Sequence, residues 1–500
     1  MQLEPIRISG LSPSDLESAR NNTYPGNLFP SHIAWNSLAD NQRTYVALAA
    51  TLSRGFRATP IEFVQVPKLD ETTRPGADMA LEDQIVYAAL THRLREALFP
   101  GLVEFTDSSG DYAAYRDFER FPLSQTGYKY VLEADAAAFY EYVDHEKLAD
   151  ELIGLTGSAD DVDALASLLG QWMTVRRGLP QGPAPSATLA DIYISPVDRA
   201  LFRSGFSFSR FSDDYRILAS DWPSVKEAQY TLEGSLRQIG LVVSGSKLRP
   251  LKYETYKRFL DKVDESRLDS QAIKAALEDI RSQEGGRLGR MIVAVSNESI
   301  ALAEHVIRDI LDRRRPVVVT TRLARWALRR LGGRSAAAAS QLSELLRRFP
   351  HLTNEIAQHL VQVIQGSHQA AGLKAIGDWL RLGGFGYSWQ TGWLLYAASH
   401  SPNIPSTISD WAAAHIFDDT MPWFVRGQAS IVLAIAGRLP AQRRFLDVFE
   451  SAPATTRPDL AAAAVLGAPL WASRFLSGIS GDPVLAATAH LPRDRYLEWL

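Results

Sequence analysis

The segment Arg210-Phe211-Ser212-Asp213-Asp214-Tyr215-Arg216 constrains the fold more than any other, because it sets two adjacent carboxylates inside an apolar, strand-like run. Phe208, Phe211, Tyr215, Ile217 and Leu218 supply the strand character. Burying neighbouring acids without partners is costly, so the pair belongs at the tip of a hairpin. There Asp213 and Asp214 are either a solvated turn or oxygen ligands for a hard divalent cation.

Two upstream segments bear on that choice. In Val131-Leu132-Glu133-Ala134-Asp135-Ala136-Ala137-Ala138-Phe139-Tyr140, a buried strand ends on Asp135, and helical pattern resumes at Val143-Asp144-His145-Glu146-Lys147-Leu148. Asp135 either caps that helix or faces the hairpin and completes a cluster of three acids. The second segment is Arg176-Arg177-Gly178-Leu179-Pro180-Gln181-Gly182-Pro183-Ala184-Pro185-Ser186, followed by an apolar helix expected from Ala187 to Leu201. Gly and Pro stiffen this loop and let its backbone approach a ligand closely, and Ser186 is placed to cap the helix.

In this order the three segments resemble the reverse transcriptase family. Asp135 with Phe139-Tyr140 is similar to its motif A, Gly178-Leu179-Pro180-Gln181-Gly182 with Ser186 to motif B, and Phe211-Ser212-Asp213-Asp214 to motif C, with Phe where the family usually has Tyr. The resemblance covers roughly residues 55 to 260 and extends to other parts of the domain. Val64-Gln65-Val66-Pro67-Lys68 and Thr73-Arg74-Pro75 resemble the fingers hairpin, in which a Lys and an Arg hold the incoming triphosphate; Glu82-Asp83-Gln84-Ile85-Val86-Tyr87 opens the fingers helix. An amphipathic helix from Val225 to Ile239 precedes Gly240-Leu241-Val242-Val243-Ser244-Gly245-Ser246-Lys247, which is similar to motif D, and Tyr256-Lys257-Arg258-Phe259-Leu260 lies where a primer-grip hairpin is expected.

The resemblance implies a right-hand polymerase fold and roles for particular residues. Asp135, the backbone of Ala136, Asp213 and Asp214 would hold two Mg²⁺ ions, with Mn²⁺ as a substitute, about 3.5–4 Å apart. Lys68 and Arg74 would bind the triphosphate, Gln181 and Gly182 would touch the nucleotide, and Lys247 would protonate the departing pyrophosphate. Tyr140 stands at the steric-gate position, where its ring would clash with a ribose 2′-hydroxyl, so dNTPs are the expected substrates and DNA the product.

Composition narrows the setting. The chain has 500 residues, room for more than one domain, and no cysteine, which removes disulfides, thiol catalysis and cysteine-based zinc modules. No apolar run reaches membrane-spanning length and the start does not read as a signal peptide, so a soluble, cytoplasmic protein without a membrane partner is expected. With a net charge of −4, contacts to a nucleic-acid backbone must be local, at Arg176-Arg177 or at Arg313-Arg314-Arg315. From about residue 265, strand signals give way to successive amphipathic helices, among them Gln271–Arg281, Ile300–Arg313, Leu352–Ile364, Ala370–Leu382 and Trp423–Ala436. Their spacing suggests a HEAT-like solenoid; an irregular helical bundle is the alternative. The expected architecture is therefore α+β: a fingers and palm domain over residues 1–264, then an all-α helical-repeat domain over 265–500 in place of a thumb.

A polymerase core running directly into helical repeats resembles the prokaryotic abortive-infection and unknown-group reverse transcriptases of phage defence. That likeness implies DNA synthesis that does without a template in some members, priming by a protein hydroxyl (Tyr24 is one candidate), and assembly as a homo-oligomeric trimer or hexamer. Two other readings stay open: a templated enzyme copying a partner non-coding RNA, as retron enzymes do, and a non-catalytic scaffold whose helical half binds a partner.

Overall fold

The computed structural model describes residues 4–22, 28–39, 41–70, 72–99, 101, 103, 105, 112–173, 175–265, 297–312, 317–383, 386–468, 472, 482–491 and 493–499. Tyr24, the helix expected at Gln271–Arg281 and the cluster Arg313-Arg314-Arg315 lie outside the described residues. Among the described residues helices mix with two antiparallel sheets, an α+β fold, and the chain divides into two compact units. One comprises Met1–Tyr24, Ala49–Ala58 and Asp83–Arg267, and the other Pro25–Leu48, Thr59–Glu82 and Leu268–Leu500. The division is thus not a single cut after residue 264, because two N-terminal segments group with the C-terminal helices.

The first unit is built on a four-stranded sheet. Strands β3 (Tyr130–Asp135), β4 (Ser207–Phe211), β5 (Asp214–Ala219) and β6 (Arg249–Lys252) lie in the order β4-β5-β3-β6; β1 (Glu62–Pro67) and β2 (Thr73–Asp78) belong to the other unit. Alternation along the strands gives the sheet two chemically distinct faces. On one, Asp135 pairs with Asp214, Glu133 lies between Arg216 and Arg249, and Val131 lies between Leu218 and Leu251. Charge at one end thereby grades into an apolar cluster, which Tyr256, Phe121 and Leu123 complete. The other face carries Leu132, Ala134, Tyr215 and Ile217, all buried. The helix Trp222–Gln238 packs on β3 and β5, and the helix Ala184–Arg203 packs on Trp222–Gln238 and on β4.

Helix ends follow local chemistry. Asp221 caps Trp222–Gln238 by accepting from the Ser224 N–H at 2.9 Å, and Asp144 caps His145–Thr156 by accepting from the N–H groups of Glu146 and Lys147. The expected cap at Ser186 is not formed. The helix starts at Ala184 behind Pro183, and Ser186 is a buried helical residue that shares a hydrogen bond with the Tyr87 hydroxyl at 2.9 Å. Residues 256–260 form no hairpin either: they lie in the helix Tyr253–Glu265, where Tyr256 is buried and donates its hydroxyl to the Glu119 carbonyl at 2.6 Å.

In the second unit the β1–β2 hairpin is tied to the helices. Glu62 accepts from the N–H groups of Trp423 and Phe424 at 2.7 and 3.0 Å, at the start of the helix Trp423–Ile435. At the same open end of the hairpin Asp78, the register partner of Glu62, accepts from His32, whose second ring nitrogen meets Asp459 at 2.9 Å. From Thr353 to Gly467 helices pack on the next but one along the chain. Thr353–Gln365 contacts Ser388–Ser399, which contacts Trp423–Ile435, which contacts Arg457–Gly467, which contacts Pro483–His490; alongside, Gln369–Arg381 packs on Ser406–His415. Helix Trp423–Ile435 is buried on nearly every side, as expected of an element covered by both sequence neighbours and stacked partners. Among the described residues no helix is long and apolar enough to cross a membrane.

Candidate active site

The Asp213-Asp214 pair sits where two strands meet. β4 ends at Phe211 and β5 begins at Asp214, leaving Ser212 and Asp213 as a two-residue connection. Ser212 has φ = 55°, a left-handed conformation that glycine normally supplies in such turns. A non-glycine residue held this way costs about 1–3 kcal/mol and persists only where the surroundings enforce it. Asp135, the last residue of β3, pairs directly with Asp214 across the sheet. The outcome is a cluster in which oxygens of Asp135, Asp213 and Asp214 all lie within 4.8 Å of one another.

The cluster's electrostatics suit a cation. Burial first, and then the charges of Asp135 and Asp214, push the Asp213 carboxyl up to about 7. Burial raises Asp214 to about 6, although the Arg216 guanidinium 4.0 Å away opposes the shift. Three hard oxygen donors that repel one another fit Mg²⁺ or Mn²⁺, which would relieve that repulsion on binding.

Lys247 completes the local charge pattern. Its ammonium donates to Asp135 Oδ1 at 2.9 Å; burial works against that charge, but the bond and the fields of Asp135, Asp214 and Asp213 outweigh it and raise the Lys247 pKa. Backbone bonds put it there. Ala137 N–H donates to the Val242 carbonyl at 2.8 Å and Ser244 N–H to the Asp135 carbonyl at 2.7 Å, so the segment before Lys247 runs back along the turn after β3. Ala136 N–H donates to the Asp213 carbonyl at 3.2 Å, and the Ala136 carbonyl takes part in none of these bonds.

The Gly-Pro loop is stitched to the same turn. Leu179 N–H donates to the Tyr140 carbonyl at 2.8 Å, Gly178 N–H to the Val143 carbonyl at 2.7 Å, and His145 Nε2 donates to the Gly178 carbonyl at 2.7 Å. Gly178 has φ = 92°, and a Cβ there would stand 3.0 Å from the Met173 methyl and 3.4 Å from the Tyr140 carbonyl. Only glycine therefore lets the loop lie this close to Tyr140. Half-buried Tyr140 and half-buried Gln181 and Gly182 are thereby fixed in one neighbourhood. At its outer edge Val175, Arg176 and Arg177 are exposed, and the Arg177 guanidinium lies 5.8 Å over the exposed Tyr142 ring.

The structure thus brings Asp135, Ala136, Asp213, Asp214 and Lys247 together, with Tyr140, Gln181 and Gly182 on segments bonded to theirs. Lys68 and Arg74 lie on or beside the β1–β2 hairpin of the other unit; Lys68 N–H donates to the Thr72 carbonyl at 2.7 Å and Arg74 pairs in register with Val66. Sequence reasoning missed the groups that brace the cluster. Arg210 is fully buried and bonds Asp191 at 2.6 Å and Asp198 at 2.8 Å, and Asp198 also accepts from Tyr215 at 2.7 Å. On the opposite face Glu133 meets Arg249 at 3.0 Å and Arg216 at 3.4 Å. A signal existed: Asp191 and Asp198 are seven residues apart on one helix, hence on one face of it, and Arg210 is a cation in a buried strand.

Residues 66–260 match the family described as reverse transcriptase (RNA-dependent DNA polymerase). No curated protein matches the chain in sequence. Among solved structures it is similar to telomerase from Candida tropicalis, in complex with a fragment of telomeric RNA, at 11% identity and a TM-score of 0.33 over 75% of this chain and 64% of that one. It is also similar to telomerase from Candida albicans, again with an RNA fragment, at 11% identity and a TM-score of 0.29 over 80% of this chain and 65% of that one. The chain therefore spans less than two thirds of the length of either telomerase chain. The match to a reverse transcriptase domain is thus confined to residues 66–260.

Proposed function

We propose that this protein is a DNA polymerase of reverse transcriptase type that acts in antiphage defence, adding dNTPs to a growing strand by two-metal chemistry. The convergence of Asp135, Asp213 and Asp214 beside a protonated Lys247 is the single observation that supports catalysis. Asp135, Asp213, Asp214 and the Ala136 carbonyl would hold the ions. Bound there, two Mg²⁺ ions would lower the pKa of the attacking 3′-hydroxyl and neutralise the triphosphate. Lys247, charged in its present surroundings, would give its proton to a departing pyrophosphate oxygen. Tyr140 would close off the space beside the sugar C2′, Gln181 and Gly182 would position the nucleotide, and Lys68 and Arg74 would neutralise the triphosphate. Arg176 and Arg177 offer local contacts to a nucleic-acid backbone.

The defence role rests on the resemblance of a polymerase core joined to HEAT-like helical repeats. The next-but-one packing of helices from Thr353 to Gly467 supports the repeat reading. By the same resemblance, a homo-oligomer is expected, and synthesis without a template and from a protein hydroxyl, as in some members, is open to it; the cysteine-free sequence fits the reducing cytoplasm. The test is phage challenge of cells carrying the gene with its native surroundings. Protection is expected with the wild type and is expected to vanish in Asp213→Asn/Asp214→Asn at equal protein level. Undiminished protection by that variant would sink the enzymatic account and favour a binding scaffold.

A further inference from the structure

The acids of the site are held by a turn that would not adopt its conformation unaided, and one buried side chain is placed to enforce it. Ser212 has the left-handed φ of 55° with no glycine to make it easy. The carbonyl of that same residue accepts a hydrogen bond from Arg210 Nη1 at 3.0 Å. Arg210 cannot drift, since its Nη1 also meets Asp191 Oδ1 at 2.6 Å and its Nε meets Asp198 Oδ2 at 2.8 Å. Both acids lie on the helix Ala184–Arg203, which starts at the end of the Gly-Pro loop. Tyr215, the residue after the acid pair, donates to the second oxygen of Asp198 at 2.7 Å. The turn is therefore gripped from both sides, by Arg210 before it and Tyr215 after it, and both grips end on one helix.

From this geometry we infer that Arg210 is a positioning residue for the metal cluster: anchored by Asp191 and Asp198, it holds Ser212 left-handed and so presents Asp213 and Asp214 toward Asp135. A guanidinium is suited to this task because its rigid fork serves three acceptors at once, which a lysine ammonium cannot do in the same plane. The inference rests on the reading of the three acids as a metal site. It adds that metal affinity is set in part by a residue that touches no metal, and that the loop–helix segment behind Gln181 and the acid turn are mechanically one piece.

The test measures Mn²⁺ binding to the full-length protein by titration calorimetry or by loss of the free-ion EPR signal, with the melting temperature recorded in parallel. The variants are R210K, S212G and the double R210K/S212G. R210K keeps a positive charge against Asp191 and Asp198, which guards folding, but loses the fork. It is expected to weaken Mn²⁺ binding by about 10–100-fold, the usual effect of removing an outer partner of metal ligands. In the S212G background, where the left-handed turn needs no enforcement, R210K is expected to cost less than about 3-fold. Asp191→Asn, which removes one anchor and keeps Arg210, is expected to show the same dependence on S212G and serves if R210K does not fold. Wild-type binding in R210K and in Asp191→Asn would overturn the inference alone. So would losses of equal size with and without S212G, which would mean a general packing role. Failure of the wild-type protein to bind Mn²⁺ would instead overturn the metal-site reading and the inference with it.

Discussion

Asp213→Asn is expected to lower DNA synthesis by at least about 10³-fold and, in the same protein, to raise the melting temperature of the metal-free form. The first effect follows from losing the negative charge of one of three acid ligands, a charge stabilisation worth several kcal/mol, each 1.36 kcal/mol being tenfold in rate. The second comes from the folded protein itself. Burial and the neighbouring Asp135 and Asp214 charges raise Asp213 to about 7 from an ordinary 3.8. Between those values the folded state binds more protons than the unfolded state, so stability falls as pH rises through that window. Asp214, raised to about 6, adds to the slope over the lower part of it. The metal-free wild type should therefore melt highest near pH 4–5, lose stability toward pH 7–8, and regain it there when Mg²⁺ is added. Asn at position 213 removes the ionisation, flattening the pH profile and blunting the Mg²⁺ response. Calorimetric melting across pH, with and without Mg²⁺, checks all of these outcomes. An equally steep pH profile in the variant would mean that Asp213 is not the group under strain.

Tyr140→Ala is expected to let the polymerase use ribonucleotides. Tyr140 lies in the short helix Phe139–Tyr142, five residues after Asp135 ends β3, and its carbonyl accepts from the Leu179 N–H of the loop holding Gln181. By the steric-gate reading the ring at this position excludes a 2′-hydroxyl, and its removal takes away a steric penalty without touching an acid. Preference for dNTPs over rNTPs should fall on the order of 10²-fold, the scale at which pocket contacts discriminate small groups. Tyr140→Phe, which keeps the ring, should leave the preference within about 3-fold. Relative kcat/KM for dGTP and GTP gives the answer, and unchanged discrimination in Tyr140→Ala would remove the gate from the account. The backbone bonds at Tyr140 and Gly178 do not involve the ring, so the variant should retain its fold.

The acid cluster was legible in the sequence because its chemistry contradicts its surroundings. Two adjacent carboxylates in an apolar strand pattern, and a third at the end of another, have few uses besides an oxygen site, and the structure brings the three together. Motif D was legible in position but not in cause: nothing local in Gly240–Lys247 says that residues 242–244 will bond back to the turn after Asp135. The primer-grip expectation failed on period. Tyr253, Tyr256 and Leu260 recur at helical spacing, and that pattern prevailed over the positional analogy. The Ser186 cap failed because Pro183, with a fixed φ suited to a helix entry, starts the helix a turn earlier.

Assignment of the β1–β2 hairpin to the helical unit was beyond sequence reading, since it depends on long-range polar contacts that leave no local pattern. Glu62 reaches N–H groups some 361 and 362 residues away, and His32 bridges Asp78 and Asp459 across 46 and 427 residues. His32 is buried, yet the two carboxylates overcome that burial and raise its pKa well above the usual histidine value. Nothing near His32 in the sequence points to two acids so far along the chain. The strained Ser212 was likewise hidden, because serine gives no sign of φ > 0, and nothing local says that its carbonyl will accept from Arg210 at 3.0 Å.

The most direct test of the central claim is to incubate the purified protein with Mg²⁺ and each dNTP separately, with no added template or primer, and to sequence whatever is made. DNA formed by the wild type, absent with EDTA and absent in Asp135→Asn, is the predicted result; a product covalently bound to the protein would add protein priming. No DNA from the wild type with Mg²⁺ or Mn²⁺, even when RNA templates and primers are supplied, would contradict the account.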